Sequence, residues 1–172
     1  MAIFTQHAVD FKTNPPLPEG TFVAINHSPL TLRQLGFNML VELTTASEFR
    51  KPPLNRPLAS VIVMAHLDTG ASTTAIDIEL AKHLNLLAVG KSESRTAAGL
   101  QTMPDFAVDV SFVNTKLSPF RNLRVGSCNL GLSFETENQL KPQNFGMLIG
   151  RDIMSQWNII WNGLSSTVII SD

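Results

Sequence analysis

The residues best suited to chemistry lie in the segment LDTGAS at positions 67–72, which places a carboxylate, Asp68, at the end of an apolar run. That run, LASVIVMAHL, is rich in β-branched residues and predicts a strand. The segment that follows, TTAIDIELAKHLNLL, has the apolar spacing of a short helix. An aspartate at such a junction is either a residue that forms the turn or an acid–base group of an active site.

Two further segments accompany the Asp68 loop along the chain. The segment SESRTAAGLQTMPDFAVDVSFV predicts two strands around a small-residue bend at Ala97, Ala98 and Gly99. Near the end, MLIGRD at 147–152 passes from a buried apolar run through Gly150 into a short helix. The order is therefore a carboxylate loop, a helix, a hairpin and an apolar strand that ends in Gly-Arg-Asp.

This order of parts, with LDTGAS and MLIGRD as its two motifs, resembles the retropepsin-like aspartic proteases of retroviruses and bacteria. The resemblance covers about residues 37–172. It implies a mostly β fold, the closed barrel of the acid proteases with one or two short helices, here with an N-terminal extension. It also implies peptide hydrolysis by two facing carboxylates that share one proton, because both cannot ionise at such short range.

The chain contains one Asp-Thr-Gly loop and no second Asp-Thr-Gly or Asp-Ser-Gly. An active protease would therefore be a symmetric homodimer with Asp68 of each subunit at the two-fold axis. The C-terminal strand TVIIS suits the family's dimer interface, in which terminal strands of both subunits form one sheet. The resemblance implies no metal and no cofactor.

The resemblance also assigns roles to individual residues. Asp68 is the catalytic carboxylate, and its loop is supported by Thr69, Gly70, Ala71 and Ser72. Ala97, Ala98 and Gly99 form the tip of a flap over an extended peptide, while Gly150, Arg151 and Asp152 are structural residues beneath the loop. Viral members often carry an acid that pairs with this arginine, but Ser72 stands at that place here.

Residues 1–36 are predicted to be an N-terminal arm of unknown role, because KTNPPLPEGTF resists helix formation. Residues 37–172 form the predicted protease domain. Its first strand, FNMLVELTTASEF, places Phe37, Met39, Val41 and Leu43 on one face, and LASVIVMAHL is predicted to be buried on both faces. In the helix after the loop, Asp77 is the expected N-cap and Leu80, Leu84 and Leu87 the expected apolar stripe.

Composition excludes several classes of function. The formal net charge of -1, with no long basic run, favours neither nucleic acid nor an anionic membrane surface. No apolar run approaches the roughly 18 residues that span a bilayer. One cysteine, Cys128, cannot form an internal disulfide and favours the cytoplasm. The four histidines have no ligand spacing, so no metal site is expected.

Two functions remain open at this level. The first is an aspartic endopeptidase that acts as a homodimer on extended polypeptide segments. The second is a dimer of the same fold that is non-catalytic or latent and serves as a peptide-binding or assembly module. The intact Asp-Thr-Gly favours the first, because a buried carboxylate pair is costly to desolvate and has no purely structural use.

Overall fold

The computed structural model describes residues 23–26, 32, 36–46, 48, 60–96, 99–131, 134–136, 139–140 and 145–172. Within these residues the fold is mostly β. The strands are β1 (Val23–Asn26), β2 (Asn38–Thr45), β3 (Ser60–Leu67), β4 (Ala75–Asp77), β5 (Ala88–Thr96), β6 (Gly99–Phe112), β7 (Phe120–Cys128), β8 (Phe134–Thr136), β9 (Gln139–Leu140), β10 (Phe145–Ile149), β11 (Asn158–Asn162) and β12 (Thr167–Ser171). The helices are α1 (Ile78–His83) and α2 (Arg151–Met154).

Six of the described strands close into a barrel. They pair in the order β2-β3-β10-β4-β7-β6, and β6 pairs back with β2 to complete the ring. Strand β10 runs parallel to β3 and antiparallel to β4, so it lies between the two strands that flank the Asp68 loop. The predicted fold class, a closed β-barrel with one or two short helices, is confirmed.

The alternation of apolar residues in β2 fills the barrel interior, as its sequence predicts. Phe37, Met39, Val41 and Leu43 are all at most 1% exposed. Along a strand every second side chain points to the same face, so these residues share one face and belong to the hydrophobic core. The two strands β2 and β3 form an antiparallel pair that leads into Asp68.

Two details of the predicted packing are wrong. Strand β3 was expected to be buried on both faces, but only Val63, Ala65 and Leu67 are buried and Ile62 is 53% exposed. The barrel has one interior, so a strand in its wall buries one face however apolar the other face is. Leu87, placed in the stripe of the first helix, is 55% exposed because α1 ends at His83, before Leu87.

The first helix begins where its sequence predicts. The Asp77 carboxylate accepts a hydrogen bond from the Glu79 backbone N–H at 2.8 Å, which satisfies one of the free N–H groups of the first turn. Leu80 and Leu84 are buried against the barrel. The residues just before the helix, Ala75–Asp77, form β4, which pairs with β7 and β10.

A second sheet of three strands has the order β1-β12-β11. Strands β11 and β12 are joined by a turn at residues 163–166, in which Ser166 has a positive φ. Strand β12, the segment TVIIS, is paired on both sides, to β1 and to β11. It therefore offers no free edge for the dimer sheet that the resemblance implied.

The boundary between the arm and the domain at residues 36 and 37 stays a prediction. The part of the arm that the structure describes includes β1, which pairs in antiparallel register with β12. The proline-rich segment of the arm lies outside the described residues. In the part of the chain that the structure describes, no helix is long and apolar enough to cross a membrane.

Candidate active site

Asp68 is positioned by two strands of the barrel. Its backbone N–H donates to the carbonyl of Ile149 at the end of β10, with 3.0 Å between nitrogen and oxygen. One residue earlier, the Leu67 N–H donates to the Phe37 carbonyl at 3.0 Å. The chain is thus held on both sides up to the residue that carries the carboxylate, and it turns away from the sheet only after Asp68.

The Asp68 carboxylate uses one oxygen inside its own loop. The Gly70 N–H donates to Oδ1 at 2.8 Å, and a Cβ added to Gly70 would lie 3.0 Å from that oxygen. Among the described residues no hydrogen-bond donor reaches Oδ2. Asp68 is half-buried, whereas Thr69 and Gly70 are exposed. One carboxylate oxygen is therefore held by the loop and the other is open to a proton, a water molecule or a second carboxylate.

Arg151 holds the far side of the loop. Its guanidinium Nη1 donates to the Thr69 carbonyl at 2.7 Å, and its backbone N–H donates to the Ala71 carbonyl at 3.0 Å. The sequence left this arginine without an acidic partner because Ser72 stands at the family's acidic position. The structure gives it a backbone carbonyl of the loop instead, and Ser72 itself is exposed.

Gly150 lies directly beneath the residues that follow the loop. A Cβ at this position would be 2.5 Å from the Thr73 carbonyl carbon and 2.8 Å from the Thr74 nitrogen. Both atoms belong to the backbone and cannot move aside cheaply. The close approach of two chain segments therefore requires a residue without a side chain at position 150.

Thr74 belongs to the candidate site but was not predicted from the sequence. It is fully buried, and its hydroxyl donates to Asp152 Oδ1 at 2.7 Å and accepts from the Gly150 N–H at 3.0 Å. Its own N–H donates to Asp152 Oδ2 at 2.9 Å. Asp152 also accepts from the Ile153 N–H, so the start of α2 and the end of the loop share one buried network. A threonine after two polar residues gives no signal in the sequence that could have identified it.

His66 was also missed, since a lone histidine without ligand spacing predicts no role. Its Nδ1 lies 2.8 Å from Oδ1 of Asn38, a side chain that is 2% exposed, and its ring lies 5.4 Å from that of Phe145. Burial lowers the pKa of His66, and the nearby negative charge of Asp68 opposes that shift. The negative charge of Asp68 therefore acts on the imidazole of His66, which lies on β3 two residues before it.

The predicted flap is only partly described. Strands β5 and β6 form a long antiparallel hairpin in which Thr96 pairs with Gly99. Gly99 has φ +107, a conformation that favours glycine, and open space around its Cα. Ala97 and Ala98, the two residues of the bend, lie outside the described residues. The structure thus brings Asp68 together with Gly150, Arg151 and Asp152, while the role of the hairpin tip stays a prediction.

Comparison with known proteins gives one kind of match. No family model matches the chain, and no curated protein matches it. Among solved structures the chain is similar to a retropepsin-like aspartic protease from Rickettsia conorii, with 14% sequence identity over 78% of this chain and 93% of that one, and a TM-score of 0.39. The fold class given above rests on the strand pairing of this chain.

Proposed function

We propose that the chain is one subunit of a homodimeric, retropepsin-like aspartic endopeptidase that cleaves extended polypeptide segments. The observation that carries the proposal is the Asp68 carboxylate, which is held through Oδ1 by its own loop and is open at Oδ2 among the described residues. A turn aspartate can bond its own loop in the same way, so the support for a catalytic role is the second oxygen, which has no donor among the described residues and is available for proton transfer. The partial exposure of Asp68 also leaves it accessible to a substrate.

The proposed chemistry needs a second copy of the chain. One carboxylate can accept a proton from water or donate one to a carbonyl oxygen, but peptide hydrolysis requires both actions at once. Two Asp68 side chains that face each other across a two-fold axis would share one proton. The ionised carboxylate would take a proton from the attacking water, and the protonated one would donate to the oxygen of the scissile carbonyl.

The loop geometry suits this role because it fixes the carboxylate before the substrate arrives. The Asp68 N–H, the Thr69 carbonyl and the Ala71 carbonyl are each bonded to the segment 149–151. A preorganised group loses little conformational freedom in the transition state, which lowers the barrier. The β5–β6 hairpin would close over a peptide bound as an added strand and exclude water from the reaction. We propose the cytoplasm as the compartment of this activity, and the support is that the chain has a single cysteine and so no internal disulfide.

The test compares the parent protein with Asp68→Asn on an unfolded protein substrate, from about pH 3 to about pH 8, with and without a pepstatin-type inhibitor. Cleavage is read by mass spectrometry, and the oligomeric state by light scattering. The proposal expects inhibitor-sensitive cleavage by the parent alone, with both proteins dimeric. The matched control is Glu79→Gln, which removes an exposed carboxylate on α1 and should leave cleavage unchanged.

The result that would overturn the proposal is a dimeric parent that cleaves nothing across this pH range. The peptide-binding or assembly module would then be the better account of the same fold. Cleavage that persists in Asp68→Asn would also contradict the proposal, because it would assign the reaction to another group.

A further inference from the structure

A cavity of about 400 Å³ lies beyond the end of α2 and shares none of its lining residues with the candidate active site. The lining residues come from the start of β7, from the segment after α2 and from the residue that follows β12. They are Ser118, Pro119, Phe120, Gln156, Trp157 and Asp172. Its volume lies within the range of roughly 300–1,000 Å³ that is typical of ligand sites.

One wall of the cavity is aromatic and rigid. Trp157 packs edge-on against Phe112, with 5.1 Å between the ring centroids, and lies 6.4 Å from the ring of Phe120. Phe112 and Phe120 also pack edge-on, at 6.1 Å, so each of the three rings is held by the other two. Such a wall accepts apolar groups, and the faces of its rings also attract a cation within about 6 Å of the ring centroid.

The polar side of the cavity carries a negative charge at a fixed position. Asp172 Oδ2 accepts a hydrogen bond from the Ser118 N–H at 2.6 Å. Burial opposes the ionisation of Asp172, but its hydrogen bonds, chiefly those from the backbone and the hydroxyl of Ser118, outweigh burial and hold the pKa of this carboxyl below its ordinary value. Among the described residues no lysine or arginine forms an ion pair with Asp172. Within that part of the chain its charge is therefore not neutralised.

Two further polar groups at the cavity have hydrogen-bonding capacity that the described part of the chain does not use. Gln156 donates through Nε2 to the Asp152 carbonyl at 3.0 Å, which leaves its Oε1 as an acceptor. Trp157 is only 8% exposed, yet no described residue accepts a hydrogen bond from its indole N–H, whereas a buried indole usually has an acceptor. A ligand that fits these groups brings N–H donors, a positive charge and at least one acceptor.

We propose that this cavity binds an arginine side chain of a peptide. The guanidinium is planar, stacks on aromatic rings and carries five N–H donors in a fork that suits a carboxylate. Its N–H groups would bond Asp172 and Gln156, and its flat face would lie against Phe120 and Trp157. A carbonyl of the peptide backbone would supply the acceptor that the indole N–H lacks.

The inference goes beyond the proposed function and does not depend on it. The two sites are nevertheless connected, because Gln156 bonds the carbonyl of Asp152, whose carboxylate bonds Thr74 at the end of the Asp68 loop. In an active protease, a substrate arginine held in the cavity would lower KM and leave kcat unchanged, since the contact is the same in the ground state and in the transition state.

The experiment titrates the nitrogen-15-labelled full chain with the blocked tripeptide acetyl-Gly-Arg-Gly-amide and follows the two indole N–H signals by NMR. Trp157 lines the cavity and Trp161 lies on β11, so we expect a saturable shift of the first signal and none of the second. The variant Trp161→Phe assigns the two signals. The matched probe replaces the arginine with citrulline, which keeps the planar shape but has no charge, and its dissociation constant should be about 10-fold higher.

Variants of the chain test the acceptors of the cavity. Asp172→Asn keeps an oxygen for the Ser118 N–H but removes the charge, and should raise the dissociation constant of the arginine peptide about 10-fold. The matched control is Glu79→Gln, which removes one negative charge on α1 and should leave the dissociation constant unchanged. If circular dichroism shows that Asp172→Asn is unfolded, Gln156→Met removes the Oε1 acceptor at an exposed position and should raise the dissociation constant about 3-fold.

Each of three results would overturn the inference: a Trp157 signal that does not shift with the arginine peptide, equal affinity for the arginine and citrulline peptides, or an unchanged dissociation constant in the folded acceptor variant. Equal shifts of both indole signals would overturn it as well, because they would show contact without a defined site. No step of the titration measures cleavage. A failed protease assay therefore leaves this site intact, and a failed titration leaves the proposed function intact.

Discussion

Asp68 and Asp77 both stand at the end of a strand, yet the fold uses them in opposite ways. Asp77 is fully buried, and its two oxygens accept hydrogen bonds from the backbone N–H groups of Glu79 at 2.8 Å and Leu130 at 2.7 Å. Asp68 is half-buried, and one of its oxygens has no donor among the described residues. An aspartate at a strand end is therefore available for acid–base chemistry only where the fold leaves one of its oxygens unbonded, as it does at Asp68 among the described residues.

The largest expected effect comes from exchanging these two carboxylates for amides. Asp68→Asn should lower the rate of peptide cleavage by about 100- to 10,000-fold, the usual contribution of a positioned acid–base group, with little change in the free energy of unfolding. Asp77→Asn should do the reverse. Its loss of a charge-assisted acceptor should lower the free energy of unfolding by about 1–3 kcal/mol, while the folded protein still cleaves.

Rates of cleavage and urea unfolding curves on both variants test this pair. The contrast between the two aspartates would be contradicted if Asp77→Asn lost cleavage at full stability, or if Asp68→Asn unfolded while Asp77→Asn did not.

The sequence predicted Asp77 well because its role is local. The capped N–H lies two residues away, and an aspartate before an apolar-periodic segment is a known start signal for a helix. The alternation that buries Phe37, Met39, Val41 and Leu43 is local in the same sense. The burial of Leu87 and of the Ile62 face of β3 was predicted wrongly. It depends on where the helix ends and on which face of the strand lines the barrel, and the hydropathy of the residues shows neither.

The residues that support Asp68 were predicted in part, and only through the resemblance of the two motifs to the retropepsin-like proteases. Gly150 and Arg151 were expected beneath the loop. The partner of Arg151 is a backbone carbonyl, which cannot be predicted from residue types because every residue has one. Thr74 and Asp152 are 78 residues apart in sequence, and their hydrogen bonds exist only once β10 has inserted between β3 and β4. Contacts of this kind follow from the closure of the barrel.

The next effect concerns the floor of the loop. Gly150→Ala should lower the free energy of unfolding by about 3 kcal/mol, since overpacking costs 1–3 kcal/mol and here the new Cβ meets backbone atoms that cannot rotate away. The matched control is Gly126→Ala, whose nearest atom would be 3.7 Å from the added Cβ. Thermal unfolding of the two variants measures the difference. A Gly150→Ala protein as stable as Gly126→Ala would mean that the loop does not rest on this glycine.

A smaller effect is expected from the buried hydroxyl beside Asp152. Thr74→Val keeps the shape of the side chain but leaves the buried Gly150 N–H without its acceptor, which should cost about 1–3 kcal/mol of unfolding free energy. Thr73→Val, at the exposed neighbouring position, should change it by no more than about 0.5 kcal/mol. Chemical denaturation measures the stability of both variants. Equal stability of the two would show that the hydrogen bonds of Thr74 do not stabilise the fold.

The smallest effect is a change in how stability depends on pH. The pKa of His66 is lowered below its ordinary value of 6.5 by burial, so the unfolded chain binds this proton more readily than the folded one. Stability that is present above pH 6.5 is therefore lost as the pH falls from that value through the lowered pKa.

His66→Gln should flatten this part of the stability profile relative to that of the parent protein. Urea unfolding at closely spaced pH values distinguishes the two. An unchanged slope in His66→Gln would show that its imidazole ionises as freely in the folded chain as in the unfolded one.

The central claim is that Asp68 acts as half of a pair shared between two copies of the chain. It is tested most directly by mixing the parent protein with increasing amounts of Asp68→Asn, under conditions in which subunits exchange, and measuring cleavage per parent chain. If the pair is shared, cleavage per parent chain falls in proportion to the fraction of parent chains in the mixture, because a hybrid dimer holds only one of the two carboxylates. Activity per parent chain that stays constant at every mixing ratio would contradict the claim, since each subunit would then carry a complete site.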